Sequence, residues 1–164
     1  MHPAALEDDA LLAQCELSKT RRSGPGGQHR NKVETAVVIH HLPSGIHAEA
    51  CERRSASENR RVALGRLRMA LALGVRSPHR EPSALWRSRV DDGRLVVNKR
   101  HADVPALVAE ALDVLAEEHG EAPTAAARLG IRTSPLVRLL AIEPKALALV
   151  NRWREARGRP PLKA

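Results

Sequence analysis

Residues 35–51 read Thr-Ala-Val-Val-Ile-His-His-Leu-Pro-Ser-Gly-Ile-His-Ala-Glu-Ala-Cys, and they constrain the fold more than any other stretch. Thr35–His40 is β-branched and apolar, which suits a buried strand. Leu42-Pro43-Ser44-Gly45 sets Pro and Gly where a turn favours them, and Ile46–Cys51 returns as the second arm of a hairpin. Directly after it, Ser55-Ala56-Ser57-Glu58 fits a capping box, opening a helix to about Leu73 that Gly74 stops. Leu64, Leu67 and Leu71 form one stripe along that helix, with Arg61 and Arg68 on a flank. Glu16–Arg22 reads as a strand ahead of the hairpin and Gly93–Asn98 as another after the helix. The expected class is α+β, a small mixed sheet with a packed helix. The chain has no Phe or Tyr and only Trp86 and Trp153, so its core must come from Leu, Val, Ile and Ala.

Between the first two strands lies Ser23-Gly24-Pro25-Gly26-Gly27-Gln28-His29-Arg30-Asn31-Lys32. Adjacent glycines open backbone dihedrals closed to other residues and remove side chains that would block close approach to a ligand. Gln28 offers a neutral amide and a backbone N–H, but no acid, base or nucleophile. Lys19, Arg21, Arg22, Arg30 and Lys32 surround it, and no Asp or Glu occurs from Ser18 to Lys32. A cationic, chemically mild loop suits an RNA-lined pocket better than a self-sufficient enzyme site.

Charge supports a polyanionic partner. The formal net charge is +8 and the isoelectric point about 10.7. Residues 52–68 carry Arg53, Arg54, Arg60, Arg61, Arg66 and Arg68 against Glu52 and Glu58, beside the cationic loop, so contact with an RNA backbone is expected there. Residues 104–130 are acidic apart from Arg128, and 151–164 turn basic again. Cys15 and Cys51 are too few for a disulfide framework, which points to a reducing cytoplasm. No apolar run approaches the roughly 18 residues of a membrane span, and the acidic N-terminus is unlike a secretory or mitochondrial leader.

The stretch after residue 100 reads as helices: Val104–His119, Thr124–Leu129, Ser134 to about Ala141, and Pro144 to about Arg157. The second and third, with Gly130 between them, have the layout of a helix-turn-helix. The same turn also serves plain helix packing, and Arg132 and Arg138 alone offer cations near the face that would enter a groove. Arg152, Arg154, Arg157 and Arg159 are better RNA-contact candidates, the alternative being a solvated basic tail. His40, His41 and His47 flank the hairpin, but neighbouring strand residues face opposite ways and no Cys or carboxylate completes a metal set, so no metal is expected. No cofactor is implied.

Arg22-Ser23-Gly24-Pro25-Gly26-Gly27-Gln28-His29-Arg30-Asn31-Lys32 resembles the catalytic-loop signature of the class I peptide chain release factors. The likeness continues through Thr35-Ala36-Val37, His41-Leu42-Pro43-Ser44-Gly45-Ile46, Glu52-Arg53-Arg54-Ser55 and Asn59-Arg60, covering about residues 16–73. Arg30 departs from it, standing where the family usually has a small branched apolar residue. The resemblance implies hydrolysis of the ester between nascent peptide and tRNA in the peptidyl transferase centre of the large ribosomal subunit. It makes Gly26, Gly27 and Gln28 the catalytic tip. Lys19, Arg21, Arg22, His29, Arg30, Lys32, Arg53, Arg54, Arg60, Arg61 and Arg68 become rRNA or tRNA contacts. Gln28 is a methylation target in the family, so a glutamine methyltransferase is an implied partner, and some members use a rescue partner protein.

Only about 15 residues precede the first expected strand, leaving no room there for a decoding domain. The chain therefore resembles the short, codon-independent members that rescue stalled ribosomes. The expected division is a Gly-Gly-Gln peptidyl-tRNA hydrolase domain over 1–100, a helix-turn-helix-like module over 104–157 and a basic tail over 158–164. The competing reading is a non-catalytic ribosome- or RNA-binding protein, or a helix-turn-helix regulator, that keeps the domain for docking.

Overall fold

A computed structural model describes residues 1–20, 35–78 and 81–164. Its central element is a three-stranded sheet: β1 (Cys15–Thr20), β2 (Ala36–His41) and β3 (Ile46–Ala50), in spatial order β1-β2-β3. Both pairings are antiparallel, β2 and β3 being joined by the turn at 42–45. The register pairs Cys15 with His41 and Thr20 with Ala36. It also pairs Val37 with Ala50 and His41 with Ile46.

One face of the sheet packs on α2 (Ala56–Gly74). Val37, Ile39 and Ala50 meet Ala63, Leu64, Leu67 and Leu71 in the core. The helix starts as its capping residues predict, with Ser55 Oγ accepting from the Glu58 N–H at 3.3 Å. The helix ends at Gly74, where the sequence reading stops it, and Val75 caps the end with an N–H bond to Leu71 O. The value of Gly74 lies in space, since a Cβ there would come within 2.7 Å of Ile46 Cδ1.

A short 3-10 turn (Pro3–Ala5) and α1 (Asp8–Leu12) fold under the same helix. His2 clips the N-terminus down: its Nδ1 accepts from the Ala4 N–H at 3.0 Å, and Nε2 donates to Val75 O at 3.1 Å. His41 is also buried, between Ser44 Oγ at 2.7 Å and Gln14 Oε1 at 3.1 Å. Burial lowers the pKa of both imidazoles, and His40 lowers that of His41 further.

The stretch expected to hold a strand at 93–98 instead forms a two-residue hairpin after α3 (Ala84–Ser88). Strand β4 (Val90–Asp91) pairs with β5 (Arg94–Leu95) across Asp92 and Gly93, whose φ angles are 43° and 70°. Two consecutive positive φ angles at Asp-Gly define the tight hairpin turn that matches strand twist.

The helical half comprises α4 (Val104–Glu117), α5 (Ala122–Arg128), α6 (Thr133–Ala141) and α7 (Pro144–Glu155). Helix α4 is buried nearly all round and lies against α2, α5, α6, α7 and the 3-10 turn. Its two buried acids are engaged: Glu110 accepts from Ser83 N–H and Oγ at 2.7 and 2.6 Å, and Asp113 from Ser77 N–H at 3.1 Å. One hydrophobic core runs from Ile39 and Leu67 through Leu107 and Leu112 to Leu136 and Val150, passing across the stretch 98–105. Trp86 sits fully inside it, its indole N–H donating to Leu129 O at 2.8 Å.

Candidate functional site

Strands β1 and β2 are the two stems of the glycine-rich segment. Because Thr20 and Ala36 are paired, the segment leaves the sheet and returns to it at neighbouring points, about 5 Å apart. Gly26, Gly27, Gln28, Arg21, Arg22, His29, Arg30 and Lys32 lie outside the described residues. Lys19 is described and exposed.

The return stem is tied to α2 by Asn59, which is fully buried. Its Nδ2 donates to Thr35 O at 2.6 Å and to Arg53 O at 3.0 Å, and its Oδ1 accepts from the Arg53 N–H at 2.9 Å. The sequence reading quoted Asn59 only as part of a motif. The signal that could have found it is a carboxamide inside the amphipathic run, on the face shared with Ala63 and Leu67.

The arginines divide into two groups. Arg53, Arg54, Arg60 and Arg61 are exposed, and none pairs with an acid among the described residues. They hold four positive charges along one end of α2 and the turn before it. Arg68 is different: its guanidinium donates to Ala4 O at 2.9 Å and to Asp8 Oδ1 at 2.6 Å, leaving its side chain 14% exposed. It is a strut for the N-terminal helix, because α2 turns that flank toward α1. Arg66, on the other flank, is bound to Glu52 at 2.6 Å. Backbone N–H groups, that of Glu52 itself foremost, hold the Glu52 carboxyl below its ordinary pKa.

The basic C-terminus divides in the same way. Arg152 and Arg157 are exposed. Arg154 is buried and donates to Gly120 O at 2.6 Å and Pro160 O at 2.8 Å. Arg159 donates to His119 O at 2.9 Å and pairs with Glu121 at 3.0 Å. Asn151 completes a latch by exchanging two bonds with Leu162, at 3.1 and 2.7 Å. Of the cations expected at RNA, Arg154 is thus held inside the fold by two carbonyls, while Arg159 stays partly exposed and pairs with Glu121 and the His119 carbonyl.

The helix-turn-helix layout is present in α5 and α6, with Gly130 at φ 67° between them. Leu136, Val137, Leu139 and Leu140 of α6 are buried. Arg132 at its start is engaged by Asp92 at 3.2 Å, and its N–H by Gly93 O. Arg132 and Arg138 are both exposed, the first paired with Asp92. Among the described residues no group of His, Cys, Asp or Glu could hold a metal, and no helix is long and apolar enough to cross a membrane.

The stretch that builds the three-stranded sheet, its glycine-rich connection and the capped helix is also the stretch that matches known proteins. The RF-1 domain matches residues 11–103, more than half of the chain, and the chain belongs to that family. Its relatives carry the name peptide chain release factor 1. That of Xylella fastidiosa is 40% identical over 75 residues, 46% of this chain and 21% of the relative. That of Chlorobaculum tepidum is 45% identical over 94 residues, 56% of this chain and 26% of the relative. That of Geobacter sulfurreducens is 39% identical over 79 residues, 48% and 21% respectively. The chain thus spans about a fifth to a quarter of the length of these relatives.

Proposed function

We propose that this chain is a ribosome-dependent peptidyl-tRNA hydrolase that releases nascent peptide from stalled ribosomes without reading a stop codon, in the cytoplasm. The observation that carries it is an intact Gly26-Gly27-Gln28 tip on a connection whose stems, Thr20 and Ala36, are paired neighbours in an RF-1 domain. The relatives' name supports peptide release as the activity.

The chemistry asks little of the side chains. Water attacks the ester carbonyl, the C–O bond to the tRNA ribose breaks, and the departing ribose oxygen takes up a proton. The developing negative charge needs a preorganised donor, and the Gln28 backbone N–H is that donor, given the freedom that Gly26 and Gly27 allow. The Gln28 carboxamide shapes the water site and excludes larger nucleophiles. Ribosomal RNA and the substrate ribose complete the surroundings, so the contribution of this chain is positioning. Arg53, Arg54, Arg60, Arg61 and Lys19 are exposed cations next to the stems, suited to the phosphates that line the way in.

The rescue role draws support from how the flanking segments are used. Residues 1–12 and the helices from α4 to α7 pack into the same core as the sheet and α2, so the segments flanking the stems serve the fold around them. Methylation of Gln28, and a partner protein at the stalled complex, belong to the same proposal.

The test is peptide release from purified ribosomes stalled on an mRNA without a stop codon, with separated large subunits in a parallel arm. The native chain should release peptide in at least one arm, and Gln28→Ala and Gly27→Ala should slow it about 100-fold or more. Release that survives both substitutions, or a native chain inactive in both arms, refutes catalysis and leaves a docking protein. Release that depends on a stop codon refutes the rescue role alone.

A further inference from the structure

We propose that Asn59 is a positioning residue that fixes the root of the Gly-Gly-Gln connection at a set distance from the Arg53–Arg54 turn. The inference rests on the release reading above and adds the part that aims the tip.

Asparagine is a poor choice inside a helix and a costly one in a core, since its carboxamide must be satisfied where no water reaches. A carboxamide offers two donors and two acceptor sites. At Asn59, three bonds to backbone are made, all between 2.6 and 3.0 Å. Where they go is the informative part. Thr35 O lies one residue outside the β1–β2 ladder, whose last pair is Thr20 with Ala36, so the ladder register does not hold it. Arg53 lies in the irregular turn between β3 and α2, and Asn59 takes both its N–H and its C=O. One rigid side chain thus joins the point where the catalytic segment re-enters the sheet to the point from which two exposed arginines project. Asn59 therefore bonds two segments at the edge of the core.

The consequence is geometric. If Arg53 and Arg54 dock on phosphates, the reach from that contact to the tip is set through Asn59. A loosened root leaves docking in place and spoils aim, and misplacement of a reacting group by about 1 Å can cost a factor of roughly 100.

The test uses Asn59→Asp and Asn59→Ser in the full chain. The first keeps the shape but replaces the one NH2 group, which donates to both Thr35 O and Arg53 O, by a carboxylate oxygen facing those two carbonyls. The second shortens the side chain so that it spans neither gap. Trp86→Phe, which loses a core hydrogen bond far from the stems in sequence, is the control for general destabilisation. Two readouts are taken: amide hydrogen exchange on the free protein, and release on stalled ribosomes against protein concentration, normalised to folded protein.

Both Asn59 variants should speed exchange at residues 36–38 while leaving 104–117 at the native rate. Release at saturation should fall by about tenfold or more, with half-saturation changed less than about threefold. Trp86→Phe should do neither. A uniform rise in exchange, or native release per folded molecule, overturns the proposal. So does failure of both variants to fold at about 25 °C, which would make Asn59 a requirement of the fold and not of the aim. If the native chain releases nothing, the release reading fails, while the exchange pattern still decides whether Asn59 holds the root.

Discussion

Arg154→Ala separates two accounts of the basic C-terminus. In the sequence Arg154 is one of a run of cations suited to RNA; in the fold it is 8% exposed and donates to Gly120 O and Pro160 O. A hydrogen bond from a charged donor contributes about 1.5–3 kcal/mol, and a buried carbonyl stripped of its donor costs about 1–3 kcal/mol. The Pro160 carbonyl can be rehydrated once released, whereas Gly120 is buried. The methylene stem adds packing, because Arg154 Cγ lies where a Cβ on Gly120 would be, at 2.8 Å. Because the two figures describe the same lost bond from its two ends, they overlap, and the net is about 2–4 kcal/mol, or roughly 5–15 °C in melting temperature for a chain of this size. Arg154→Lys should fall between, since one ammonium cannot span both carbonyls as the planar guanidinium does.

The assay is thermal unfolding alongside ribosome binding across a salt series, measured well below the melting point. Arg154→Ala should melt early yet keep the native slope of log affinity against log salt. Arg152→Ala or Arg157→Ala should leave the melting point alone, and each one that touches phosphate should flatten the slope by about 0.7–0.9. An unchanged melting temperature together with a flattened slope for Arg154→Ala would refute the buried-latch account.

Two more perturbations probe the scaffold. His2 and His41 have folded pKa values lowered from an ordinary 6.5, chiefly by burial, so the unfolded chain binds more protons just below that value. Their stabilisation is complete above pH 6.5 and is lost as pH falls through it to the depressed folded values; the urea midpoint should decline over that window, and His2→Gln with His41→Gln should flatten the decline. A native midpoint that rises there would contradict the neutral assignment. Trp86→Phe leaves Leu129 O without its donor and should cost about 1–3 kcal/mol by chemical denaturation, with an unchanged midpoint counting against it.

The parts of this fold that were legible in the sequence are those written in local chemistry. Pro43 and Gly45 mark the reversal, Ser55 and Glu58 the start of α2, and the leucines its buried stripe. The charges were harder to read, because periodicity says which face a residue occupies and not what waits opposite. Arg61 and Arg68 stand two turns apart on one flank, yet only Arg68 meets a carbonyl and a carboxylate delivered by residues 4 and 8. Arg154 and Arg159 are likewise indistinguishable from Arg152 and Arg157 until helix α7 is laid beside the 119–121 turn. Asn59 was hidden for the converse reason: its partners are backbone atoms, which no side-chain pattern announces. The Asp92-Gly93 turn is written in local chemistry too, since Asp-Gly favours two consecutive positive φ angles.

Helix α2 has the sheet on one side and α4 on the other, with no loose layer between them. The shared core crosses the point where the family match ends. Whatever grips the helical half takes hold of the strand stems in the same motion, as a handle takes hold of its blade. The segment beyond residue 103 is thereby part of the tool that carries the tip, and a cut there would strip one wall from the helix that carries Asn59.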